Sequence, residues 1–255
     1  MKNKGPEYRP ARELVVARFN EDISWTSCWE EKLTIYNKGG EIKNKACIQL
    51  EDFGREAHTY LYHIVTHWEN LAETTIFTQA NPFDHTDRFL QLLRYRFDKL
   101  QPLTYCWRKS RFPSLRAINL SKPYWVGNHK IFVAYQNHNA ECLYPVPNWR
   151  DNFCRVRQVA KIPENVPIYQ FFWKNIFNEP IEAMPDLLPV SFAAIFSVPK
   201  SIILSRPKAF YENLLELVSK TEIINNPVPM VEFLLERLWL VIFRYHETHP
   251  NLYIN

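Results

Sequence analysis

The chain has no Cys-x-x-Cys pair. Its five cysteines (Cys28, Cys47, Cys106, Cys142, Cys154) are odd in number and widely spaced, which excludes a disulfide framework or a zinc ribbon. Reduced thiols are the expectation, and with them a cytoplasmic location. Long apolar runs are missing too. The longest, Leu234 to Phe243, is roughly half of what a membrane span needs and carries Glu236 and Arg237. Met1 to Pro10 is polar and basic, so neither a signal peptide nor an N-terminal anchor is expected. An excess of one charge is also lacking: 31 Lys and Arg against 27 Asp and Glu leave a net charge of +4. That balance argues against nucleic acid as a partner while allowing a local site for a phosphate or an anionic sugar donor. Internal repeats and low-complexity segments are absent.

What is present is 255 residues, enough for one large domain or a domain with a substantial insertion. The chain is organised around Thr74-Thr75-Ile76-Phe77-Thr78-Gln79-Ala80-Asn81-Pro82-Phe83-Asp84-His85. This uncharged β-branched and aromatic run stops at polar residues and a proline, as a buried strand does at a sheet edge. Asp84 and His85 follow that edge, where open α/β sheets bind ligands, and a carboxylate with an imidazole can hold a metal or a sugar. The competing reading is a turn in which Asp84 caps the next segment.

Glu13 to Asp22 predicts a short buried strand ending in polar residues, with Ser24 capping a helix after it. Lys32 to Gly40 predicts a second strand running into two glycines. Gly54 precedes an amphipathic helix over 55–69, whose apolar stripe is Ala57, Tyr60, Leu61, Ile64, Val65 and Trp68. His58, His63 and His67 lie off that stripe. His63 and His67 have a spacing that reaches one metal ion, but with no third ligand evident the face reads as solvated. The first 80 or so residues thus predict a β-α-β-α-β opening.

Residues 88–185 show no clear helical period after Leu100. Arg94, Arg96, Trp107, Arg108, Lys109, Arg111, Arg116 and Lys122 interleave with aromatics, and this 94–122 region is expected beside the same cleft, shaping acceptor binding. His129 to Tyr135 reads as a strand. Seven prolines between 145 and 189 mark extended connections. Phe192 to Val198 predicts another buried strand, Ser205-Arg206-Pro207 a helix start, and Phe210, Leu214, Leu217 and Val218 the inner face of that helix. A last helix, Met230 to Tyr245, is apolar nearly all round, so Glu232, Glu236 and Arg237 need partners, such as an internal Glu–Arg bridge, or line a cavity.

Six segments in this order resemble the domain-of-unknown-function family 3431: residues 15–25, 35–39, Gly54-Arg55-Glu56-Ala57-His58-Thr59-Tyr60-Leu61, 77–85, the block from Phe192 to Leu215, and Glu236-Arg237-Leu238-Trp239. The layout also resembles GT-A glycosyltransferases distantly. That resemblance implies one α/β domain over 1–255, GT-A-like and Rossmann-like. Its central sheet would be mostly parallel, with core strands at 14–19, 33–36, 75–79 and 192–198, flanking helices and a less regular insertion at about 88–185. It implies that Asn20, Glu21, Asp22, Asn37, Lys38 and Arg55 face a nucleotide-sugar donor and that Asp84 and His85 stand where a divalent metal, Mn or Mg, is held. Ala80-Asn81 replaces the Gly-Asp usual in such enzymes, which removes a carboxylate and allows a metal-independent or inactive form.

The implied chemistry is sugar transfer to a glycan or small-molecule acceptor, with Asp84 or Glu236 as base and Lys38 with Arg55, or a metal, as counter-charge. Two alternatives remain open at this level. One is glycoside hydrolysis by Asp84 and Glu236 across a cleft. The other is a glycan- or protein-binding module without catalysis.

Overall fold

The computed structural model describes residues 11–43, 45–86, 88–103, 124–126, 129–135, 161–184, 187–190, 194–222, 231–244 and 247. Its centre is a six-stranded sheet in the order β3-β2-β1-β4-β9-β5. The strands are β1 (Arg12–Arg18), β2 (Lys32–Asn37), β3 (Ile48–Gln49), β4 (Thr74–Gln79), β5 (Gln101–Pro102) and β9 (Phe196–Pro199). A second sheet of three antiparallel strands, β6 (Tyr124–Val126), β7 (His129–Tyr135) and β8 (Leu187–Val190), has the order β6-β7-β8. The strand expected at 129–135 is therefore there.

β1 runs parallel to both β2 and β4, with Val15 opposite Thr34 on one side and Phe77 on the other. Alternation sorts the side chains to two faces. Val15, Tyr36, Phe77 and Phe196 pack on one face; Leu14, Val16, Ile35 and Ile76 pack on the other. The first face is covered by helices α1 (Arg55–Thr66), α3 (Ile168–Asn175), α5 (Lys208–Glu222) and α6 (Val231–Ile242). The second is closed by short pieces, among them Ile23 and the single helical turn α2 (Phe89–Leu92). Burial on both faces explains why these strands read as continuous apolar runs.

Several expectations need correction. The sheet is mixed: β9 runs antiparallel to β4 and to β5, so the strand expected at 192–198 points against its neighbours. The turn Lys200–Ile203, α4, follows β9 directly. No α-helix connects β1 to β2, only a 3-10 turn at Ser24–Cys28, and Ser24 is held by Asp22 rather than capping a helix. β3 is an additional short edge strand. A helix does exist beyond Leu100: α3 buries Ile168, Tyr169, Phe172 and Trp173, four residues too compactly placed between prolines to show a period. The helix expected at 55–69 ends at Thr66, with a 3-10 turn at Trp68–Asn70 after it.

The histidine face of α1 is not solvated. His63 is fully buried and His58 nearly so: His63 turns to the sheet, beside Glu13, Tyr36 and Phe77, and His58 packs on Phe53. His63 Nδ1 is 3.1 Å from the Tyr36 hydroxyl, and its ring stacks on His67 at 4.5 Å.

Candidate functional site

β1 is the point where the sheet changes direction of growth: the chain builds β2 and β3 on one side of β1 and then returns to place β4 on the other. A crevice at the carboxyl ends of such strands is where open α/β sheets take ligands. At that edge the segments leaving β1 and β4 are joined by the Ala80 N–H donating to Ala17 O (2.8 Å) and the Trp25 indole donating to Ala80 O (2.8 Å). Trp25 also meets Phe83 and Phe89 edge-on. Phe19 and Phe83 remain exposed on the two exits, at 47% and 38%.

The residues assigned to the donor largely hold one another. Glu21 Oε2 accepts from the backbone N–H groups of Phe19 (2.8 Å) and Asn20 (3.1 Å), folding the exit of β1 into a turn. Asp22 accepts from the Ser24 N–H (2.9 Å) and hydroxyl (2.7 Å), and these bonds hold its carboxyl below the usual range. Asn37 is buried; its amide donates to Gly40 O (2.9 Å) and Gln49 Oε1 (2.9 Å) while its oxygen accepts from Arg18 (2.5 Å). Asn20 Oδ1 accepts the Gly40 N–H at 2.9 Å. Gly39 is required by this packing: a Cβ there would lie 1.8 Å from Phe19 O and 2.5 Å from Asn20 Oδ1.

Lys38 is buried rather than presented to solvent. Its ammonium donates to Phe53 O and, at 2.7 Å, to Arg55 O, so it fixes the turn that starts α1. Gly54, in the left-handed region at φ 62°, permits the sharp entry; a Cβ there would also sit 2.5 Å from Val218 Cγ1. Arg55 follows with φ 45° and keeps half of its side chain exposed, its Nε 3.5 Å from Glu56 Oε2. The amino end of α1 thus opens at the carboxyl edge of the sheet beside a guanidinium, where its dipole favours an anion.

A second group forms across the α1–α6 contact. Glu56 is buried, and burial, aided by the charge of Glu236 on α6 and opposed by Arg55, pushes its carboxyl up. Tyr60, one turn further along α1, is wholly buried; burial first, then the charges of Glu56 and Glu236, keep its phenol un-ionised. His85, after the 3-10 turn Pro82–Asp84, is half-buried; burial lowers its imidazole, and Glu236 and Asp84 oppose that. Asp84 itself is exposed and accepts from the Asn81 amide at 2.7 Å. It shapes its own turn.

Arg55 contacts Glu56, the charge of Glu236 acts on Glu56 and on His85, and Asp84 acts on His85; Asn20, Glu21, Asp22, Asn37 and Lys38 hold the exits of β1 and β2. Sequence reasoning missed two members. Glu56 stood in the quoted Gly54-Arg55-Glu56 segment without a role, and Tyr60 was counted as apolar stripe. Arg94, Tyr95 and Arg96 belong elsewhere: Arg96 pairs with Glu31, and Tyr95 O accepts from Arg12, at the opposite, amino edge of the sheet. The expectation that they flank the cleft is corrected for those three. Trp107, Arg108, Lys109, Arg111, Arg116 and Lys122 lie outside the described residues, as does the side chain of Arg237 and with it the expected Glu–Arg bridge.

Asp84 and His85 are donors of the kinds a divalent metal takes, with His85 neutral at pH 7. Among the described residues no three His, Cys, Asp or Glu side chains are grouped to hold an ion. Nor is any helix among them long and apolar enough to cross a membrane. A family model described as "Protein of unknown function (DUF3431)" matches residues 14–252. No curated protein and no solved structure matches the chain.

Proposed function

Because this chain belongs to the DUF3431 family, whose description assigns no activity, we propose its function from the site: a glycosyltransferase-like protein that binds a nucleotide-sugar and passes the sugar to a hydroxyl acceptor. One observation carries the reading. The sheet changes direction at β1, and the same edge holds the amino end of α1, the half-exposed Arg55 and the carboxylates Asp84 and Glu236. Anions favour helix amino ends, and a departing diphosphate needs positive charge beside it.

In this reading Arg55 and the α1 N–H groups receive the donor's diphosphate, and the wall from Asn20 to Lys38 supports the nucleoside. The acceptor hydroxyl gives its proton to Glu236, its oxygen bonds to the anomeric carbon, and the bond from that carbon to the diphosphate breaks, the diphosphate leaving with the electron pair. A divalent metal on Asp84 and His85 would add charge stabilisation when bound. Exposed Phe19 and Phe83 offer flat faces to a ring.

The test is thermal melting against a panel of nucleotides and nucleotide-sugars, with and without Mn or Mg. Binding at 100 times Kd adds about 2.7 kcal/mol of apparent stability. A nucleoside diphosphate sugar should raise Tm in the wild type and not in Arg55→Ala. If nothing in the panel raises Tm, the donor site is refuted. Glycoside hydrolysis stays as the second reading because Asp84 and Glu236 act on the same imidazole, His85. Release of a chromogenic aglycone, lost in Glu236→Gln, would favour it.

A further inference from the structure

Of the two cations at the start of α1, Arg55 keeps half of its side chain exposed, while Lys38 is buried with its ammonium donating to Phe53 O and, at 2.7 Å, to Arg55 O. Those two carbonyls flank Gly54. Lys38 is anchored at its other end, because its backbone N–H donates to Arg18 O at 2.8 Å where β1 finishes. Its ammonium lies 5.6 Å from the centroid of the Phe53 ring, on which His58 packs at 4.1 Å. One side chain thus ties the end of β1 to the first turn of α1.

The residues inside that tie, Gly54 and Arg55, have successive positive φ angles of 62° and 45°. Glycine takes such an angle readily; an arginine is strained there, because its Cβ crowds the backbone. A residue in that state persists only where its surroundings over-determine it, and such residues gather at functional sites. Starting a helix does not require it, since an ordinary negative φ serves at the first helical residue.

We propose that Lys38 is a positioning residue, clamping Arg55 in its left-handed conformation so that the guanidinium stands ready at the carboxyl edge for the donor's diphosphate. This rests on the transferase reading and deepens it. The two cations divide the work: Arg55 meets the diphosphate, and Lys38 touches no ligand but holds Arg55 in place. A ligand that finds Arg55 already placed does not bear the cost of ordering it, so the clamp shows as affinity.

The experiment joins a double-substitution cycle, read by melting, to calorimetric titration with inorganic pyrophosphate. Arg55→Gly and Arg55→Ala both remove the guanidinium, but only glycine relieves the φ of 45°, so Arg55→Gly should melt above Arg55→Ala. Lys38→Met keeps the stem and removes the ammonium. It should lower Tm in the Arg55 chain and by clearly less in the Arg55→Gly chain, where nothing needs holding. Pyrophosphate should bind the wild type, fail on Arg55→Ala and bind Lys38→Met roughly tenfold more weakly. Added salt should not erase that ratio, as it would the pull of a distant charge. Arg55→Ala melting at or above Arg55→Gly overturns the clamp, a result that stands even if Lys38→Met does not fold. Equal Tm losses from Lys38→Met in both chains overturn it too, since Lys38 would then only cap two carbonyls. A wild type that takes no pyrophosphate overturns the ligand assigned to Arg55, a separate result because the melting cycle uses no ligand.

Discussion

The two edges of the central sheet handle buried polar groups in opposite ways. At the amino edge Glu13, wholly buried, meets Lys32 Nζ at 2.8 Å, Thr34 Oγ1 at 2.6 Å and His63 Nε2 at 3.7 Å. Beside it Arg12 pairs with Glu31 and donates to Leu93 O (2.6 Å) and Tyr95 O (3.0 Å). At the carboxyl edge Glu56 lies 3.5 Å from Arg55 Nε with the charge of Glu236 acting on it, and the Tyr60 hydroxyl and His85 Nδ1 make no hydrogen bond among the described residues. Glu13 is met by two short hydrogen bonds, although His63 Nε2 beside it makes none among the described residues; Glu56 has a cation 3.5 Å away and a second acid's charge acting on it.

The comparison can be broken most directly at Arg12. Arg12→Ala strips Glu31 of its main partner and frees the buried Leu93 carbonyl and the part-buried Tyr95 carbonyl, so a loss of roughly 3 kcal/mol in urea unfolding is expected. A loss below about 1 kcal/mol would mean that the amino edge is not the structural one. Next in size, Gly39→Ala drives a Cβ into Phe19 O and should cost about 2 kcal/mol while displacing the β1 exit. Nucleotide-induced stabilisation should fall with it, since the wall of the site is that exit.

Acid sharpens the contrast. Burial lowers His63 to about 3, with His67 and Lys32 adding to the shift. The unfolded imidazole, near 6.5, takes up protons that the folded one refuses. Stability should therefore fall as pH drops from about 6.5 toward 3, by roughly 1.4 kcal/mol per pH unit for this group. Glu56 acts with the opposite sign: its raised folded value costs stability as pH rises above the ordinary glutamate range. His63→Gln should flatten the acid limb of a Tm against pH curve, and Glu56→Gln the alkaline limb; the reverse pattern would exchange the roles of the edges. The smallest effect is at Asp84. Asp84→Asn keeps a partner for Asn81 and should shift stability by about 0.5 kcal/mol or less. Ligand-induced stabilisation should nonetheless vanish, and an unchanged ligand response would make Asp84 a turn residue.

The strands around Val15, Ile35 and Phe77 were legible because burial on both faces leaves an unbroken apolar run, and α5 because its inner face recurs at helical spacing. The direction of β9 was not legible, since a short apolar run reads the same for either direction. His63 was read as solvated because it lies off the apolar stripe of its helix; here it turns to the sheet, beside Glu13 and Tyr36. Glu56 was hidden for a related reason. An acid in the first turn of a helix is common at the surface, and only the approach of α6 removes its water.

Local order alone determined the apolar strands, the polar breaks after Arg18, Asn37 and Gln79, and the glycine before α1, because steric and hydrophobic preferences act within a few residues. Six short segments were also enough to indicate the family. Which charges are met and which are not was decided by the tertiary structure. Glu13 and Glu56 are both glutamates beside apolar residues, and chain distant in sequence sets them apart: Lys32 and His63 approach one, while Glu236 adds a like charge to the other beside its neighbour Arg55. Electrostatic energy depends on separation in space and on the water excluded there, and neither is set until the sheet and its helices close.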